Sequence, residues 1–108
     1  MTIMMYRDLV NSFCANPREI PTAPINGGTP KWFYVYEHRG TIYISSGREH
    51  SNVCHVNPDR SLKPSEFSTM LDIYQRRKQG EPVSQEAKKQ SINQSYWFGI
   101  FKATEEQL

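Results

Sequence analysis

Apolar positions along this chain recur with a helical period in two stretches and alternate with a strand period between them. Tyr6, Leu9, Val10 and Phe13 stand at i, i+3, i+4 and i+7, which predicts a helix over Ile3 to Cys14. Asn16-Pro17 ends it, because the residue before a proline avoids the helical region. Phe67, Met70, Leu71 and Tyr74 repeat the spacing and predict a central helix over about 64–79. Pro64 suits its first turn and Ser65 offers a capping hydroxyl, while Arg76, Arg77 and Lys78 suit the negative end of its dipole, with Gly80 as terminator. Between the two lie Lys31 to Glu37 and Thr41 to Ser45, rich in aromatic and β-branched residues and joined by His38-Arg39-Gly40. That is a hairpin over 31–46 whose glycine takes positive φ. Phe33, Val35, Ile42 and Ile44 share its expected core face; Trp32, Tyr34, Tyr36 and Tyr43 share the other.

The remaining segments are less regular. Residues 16–30 carry Pro17, Pro21, Pro24, Pro30 and the pair Gly27-Gly28, and form a strap long for a connection inside a small domain. The strap either runs over the surface with Ile20 and Ile25 as apolar pegs, or lets the first helix reach a partner as an exchanged arm. Asn52 to Val56 offers a third, shorter strand, and Asn57-Pro58-Asp59 a turn. Ser84 starts a short helix through Ala87. The aromatic segment 95–102 satisfies two periods: a helix places Ile92, Tyr96, Trp97, Ile100 and Phe101 on one face, and a strand alternates Tyr96, Phe98 and Ile100 with Trp97, Gly99 and Phe101. Ala103 to Leu108 is expected to fray. The sum is one α+β domain over 1–108. It has an N-terminal helix (1–15), the strap (16–30) and a core (31–102) built on a two- or three-stranded antiparallel sheet.

Composition narrows the function only slightly. Thirteen aromatics supply bulky core material, and 13 Lys plus Arg stand against 11 Asp plus Glu, so no overall polyanion attraction is written in. From His38 to Gly80 the basic residues Arg39, Arg48, Arg60, Lys63, Arg76, Arg77 and Lys78 outnumber Glu49, Asp59, Glu66 and Asp72, which allows a local basic face. Cys14 and Cys54 lie far apart, and Arg7 and Asp8 interrupt the N-terminal apolar residues. The expectation is therefore a cytoplasmic chain with free, mostly buried thiols, and no segment apolar enough for a membrane.

Four constellations carry candidate chemistry. The first is Ser84 to Phe101 as a helix-turn-helix, with Ala87 as the small residue of its first helix and Ile92, Trp97 and Ile100 facing inward. Asn93-Gln94-Ser95-Tyr96-Trp97-Phe98 through Phe101-Lys102 resembles, over that stretch alone, the recognition helix of AraC-type regulators. Gln90 departs from the usual apolar residue and the turn lacks glycine. The resemblance implies that Asn93, Gln94 and Ser95 reach bases or backbone. The second is the hairpin, whose Trp32, Tyr34, Tyr36 and Tyr43 suit unstacked bases, with Lys31, Arg39 and Arg48 for phosphates. Arg76, Arg77 and Lys78 extend that basic set. The third is a metal site from His50, Cys54 and His55 with Cys14 or His38; its spacings match no paired half-site, so no metal or other cofactor is expected. The fourth is catalysis by His38, His50 or His55 with Glu37, Glu49 or Asp59, in the manner of a small nuclease or toxin-like enzyme. No nucleophile elbow or phosphate-binding glycine loop accompanies them. The sequence therefore points to a small non-enzymatic binding protein, with nucleic acid as first partner. The alternative is an interaction module or homodimer using the N-terminal helix or the aromatic sheet face.

Overall fold

The computed structural model describes residues 4–23 and 28–107. It is an α+β fold of four helices and one four-stranded antiparallel sheet. In chain order these are α1 (Tyr6–Ala15), β1 (Arg18–Pro21), β2 (Trp32–His38), β3 (Thr41–Ser46), β4 (Arg60–Leu62), α2 (Pro64–Lys78), α3 (Ser84–Gln90) and α4 (Gln94–Gln107). The sheet order is β1-β2-β3-β4, a meander. Five expectations lie outside the described residues: a helix start at Ile3, Pro24 in the strap, Ile25 as a peg, the first glycine of Gly27-Gly28, and fraying at Leu108.

The sheet is larger than the two or three strands expected, and two of its strands fall elsewhere. The strap hides β1, which pairs Arg18 with Val35 through Pro21 with Trp32. Proline is tolerated there because β1 is an edge strand and Pro21 ends it. Asn52 to Val56 contributes only a bridge between Val53 and Trp32; the fourth strand is Arg60–Leu62, whose three residues are too few to show a period. The hairpin forms as expected around a two-residue loop, with Arg39 at φ 51° and Gly40 at φ 77°. Two successive positive-φ residues match the strand twist, and the Glu37 carboxylate accepts the Gly40 N–H at 2.6 Å.

All four helices lie toward one face of the sheet. Phe33, Val35, Ile42, Ile44 and Leu62 are fully buried there under Leu9 and Phe13 of α1, Met70 and Ile73 of α2, and Trp97, Phe98, Ile100 and Phe101 of α4. α1 docks on its own sheet: the Tyr6 hydroxyl donates to Leu62 O at 2.6 Å and accepts the Ile42 N–H at 2.9 Å. On α2 the fourth buried position is Ile73, and Leu71 is only half-buried. Pro64 does occupy the first turn, after Lys63 as N-cap, and Ser65 makes no cap.

The aromatic segment 95–102 resolves as helix. Its apolar residues are buried nearly all round, so one period alone could not distinguish it from a strand. The helix runs on to Gln107 instead of fraying, with buried Thr104 donating to Ile100 O and Lys78 paired to Glu105. Gly99, which suggested a strand, marks a close crossing: a Cβ there would sit 2.5 Å from Pro21 O and 3.3 Å from Phe33 Cε1. Gly99→Ala should therefore cost about 1–3 kcal/mol despite alanine's better helix propensity. Urea unfolding checks this, and a stabilised variant would refute the crossing.

No described helix is long and apolar enough to cross a membrane. Both cysteines are free, but Cys14 is exposed and Cys54 half-buried, against the buried thiols expected.

A candidate ligand cleft on the uncovered sheet face

Because side chains alternate across a strand, burying Phe33 and Val35 sends Trp32, Tyr34 and Tyr36 to the opposite face, and Ile42 and Ile44 send Tyr43 there. Among the described residues no helix covers this outer face. Tyr36 lies opposite Tyr43, with rings 5.5 Å apart and 14° from parallel, and Tyr34 stands 5.9 Å from Tyr36. The His38 ring meets Tyr43 edge-on at 6.1 Å. All three tyrosines remain half-buried, so a row of phenol rings is offered to solvent. Trp32 is not part of that platform, since the His50 imidazole lies flat on it at 3.6 Å.

Residues 48–50 fold back over this face and are held by one carboxylate. Glu19, on the outer side of β1, accepts the Arg48 and Glu49 N–H groups, each at 2.7 Å, and contacts His50 Nδ1 at 3.0 Å. Its side chain is 3% exposed. Burial alone would raise the Glu19 pKa, but the bonds from His50 and the two amides outweigh it and hold the carboxyl below the usual range. Across the face, Asp59 accepts the Tyr36 hydroxyl at 2.6 Å, and this bond with partial burial pushes the phenol up to about 12.

Between these walls lies a cleft of about 620 Å³, floored by Tyr34, Tyr36 and Ser45 and edged by Pro17 and Arg48, with the carboxylates Glu19, Glu37, Glu49 and Asp59 around that one cation. That volume lies within the range of small-ligand sites. Tyrosine rings there can stack on a flat partner, Asp59 and Glu49 can accept hydrogen bonds, and Arg48 supplies a cation.

The other candidate residues are scattered. Arg39 stands exposed at the hairpin tip, and Lys31 precedes β2 with its side chain in a separate cavity. The run at the end of α2 is engaged within the fold: Arg76 pairs with Asp72, Glu81 and Glu86, and Lys78 with Glu105. Arg77 donates to Ala23 O at 3.2 Å and lies 5.2 Å from the Phe98 ring centre. Asn93 is 8% exposed and accepts Arg60 Nη1 at 3.1 Å, and Gln94 is half-buried. α3, its turn and α4 do follow one another, yet Trp97 through Phe101 are buried in the core. Among the residues of α4 whose burial is described, only Lys102 and Glu106 are well exposed beyond its first turn.

The three histidines do not converge. His38 and His50 meet different rings of the outer face, and His55 lines the separate cavity. Among the described residues no group of three or more His, Cys, Asp or Glu side chains is placed to hold a metal ion. Sequence reasoning found the tyrosines but missed Glu19 and the Tyr36–Asp59 bond. Glu19 sits in the proline-rich strap, where only Ile20 hinted at alternation. Comparison with protein families, with curated proteins and with solved structures gives no match for this chain.

Proposed function

We propose that this chain is a small non-enzymatic binding protein that takes single-stranded nucleic acid on its uncovered sheet face. The observation that carries this reading is the row Tyr34-Tyr36-Tyr43, of which Tyr34 and Tyr36 floor a cleft of about 620 Å³. Unstacked bases lie on aromatic side chains of such sheets, each worth about 1–3 kcal/mol, whereas duplex bases are already stacked and offer no free face. Glu49 and Asp59 favour bases that present an exocyclic amino group, because a carboxylate accepts from it as it does from cytosine N4. Arg48 in the cleft serves the phosphates. Few cations line the site, so affinity should fall only gently with salt.

The test is fluorescence anisotropy with labelled single- and double-stranded oligonucleotides. Single strands should bind more tightly than duplex, and Tyr36→Ala should weaken binding about 5- to 150-fold, the equivalent of one lost base stack. Equal affinity for duplex, or an unaffected Tyr36→Ala variant, would overturn the reading.

A further inference from the structure

A second cavity, of about 430 Å³, opens at the other end of β2 and is walled by Lys31, His55, Arg60, Thr29, Gln94 and Tyr96, among others. Its chemistry differs from that of the aromatic cleft. Two permanent cations and a histidine line it, and no carboxylate does. Arg76 and Lys78 are neutralised by carboxylates at the end of α2, whereas neither Lys31 nor Arg60 has an ion-pair partner among the described residues. Arg60 is nevertheless positioned. Its Nη1 donates to Asn93 Oδ1 at 3.1 Å and its guanidinium lies 5.9 Å from the Tyr96 ring centre. The first turn of α4 carries no acidic residue to offset its positive end. Gln94 Oε1 is buried in the wall without a hydrogen-bond partner among the described residues.

We infer that this cavity is an anion site for a phosphate group, free or as a phosphomonoester. A guanidinium and an ammonium suit phosphate oxygens, and no carboxylate lines the cavity to oppose them. The site is distinct from the aromatic cleft and does not depend on it: Lys31 serves this cavity, while the next residue, Trp32, faces the other side of the sheet.

The test is amide chemical-shift mapping of the full chain titrated with inorganic phosphate, against chloride at matched ionic strength. A second arm uses a nucleoside 5′-monophosphate. Saturable shifts should appear at Lys31, His55 and Gln94–Tyr96, with dissociation constants of about 1 mM or tighter. Lys31→Gln, at an exposed position before β2, should weaken them about tenfold, and Lys31→Gln with Arg60→Gln should abolish them. Lys102→Gln should leave them unchanged. Tighter binding of the monophosphate assigns the phosphomonoester, and equal binding assigns the free anion. Shifts that never saturate, lie elsewhere, or persist in the double variant overturn the site.

Discussion

Truncating Trp97 to alanine will cost roughly 3–5 kcal/mol of stability, the largest single loss expected of any side chain here. Trp97 is fully buried, with its ring 5.5 Å from Phe101 and 6.2 Å from Phe67. Its removal leaves a void where α2 meets α4, in a core packed too closely to collapse into it. A polar loss adds to the cavity. Trp97 Nε1 donates to Glu66 Oε1 at 3.0 Å, and Ser91 Oγ donates to the same oxygen at 2.8 Å. Trp97→Phe restores most of the bulk but not the donor, so its cost should be smaller and should report the Glu66 bond. Urea midpoints at unchanged slope measure both. A loss under about 1 kcal/mol for Trp97→Ala would mean that this helix pair is not the centre of the core.

Replacing Glu19 with alanine will release residues 48–50 from the sheet without unfolding the rest. Two backbone amides and the His50 ring lose their shared acceptor, and a hydrogen bond to a charged group is worth about 1.5–3 kcal/mol. Exchange of the Arg48 and Glu49 amides should therefore accelerate about 10- to 100-fold, while the β2–β3 ladder keeps its protection. The pH dependence has a definite sign. Because the folded carboxyl lies below its usual 4.5, its contribution is complete above that value. It is lost as pH falls through the depressed folded value. The wall should hold at neutral pH and loosen only in acid, and Glu19→Ala should abolish that acid transition. Unchanged exchange at both amides would show that Glu19 is not the anchor.

Local pattern made much of the fold legible. The hairpin, α2 and the buried set Phe33, Val35, Ile42 and Ile44 followed from period and turn chemistry, because each element is long enough to repeat its pattern. β1 and β4 were hidden for the opposite reason: each holds one deeply buried apolar residue, Ile20 or Leu62, and tertiary pairing alone defines it. α4 was ambiguous because it is buried on several sides, which erases the stripe that distinguishes a helix. At the cleft, the tyrosine row was visible as alternation, whereas Glu19 and Asp59 reach it across 29 residues to Arg48 and 23 to Tyr36. No spacing rule spans such distances. The basic run 76–78 shows the converse: Asp72 stands one helical turn from Arg76, but the partners Glu86 and Glu105 come from α3 and α4 and only folding brings them in.

The proposed function rests on the outer sheet face holding the ligand. The most direct measurement is amide chemical-shift mapping of the full chain titrated with a short single-stranded oligonucleotide rich in cytosine. Saturable shifts should concentrate at residues 34–36, 43–45, 48–50 and 59, with the last turns of α2 and α4 unmoved. Shifts centred on α3 and the exposed side of α4, or no saturable shifts at all, would contradict it.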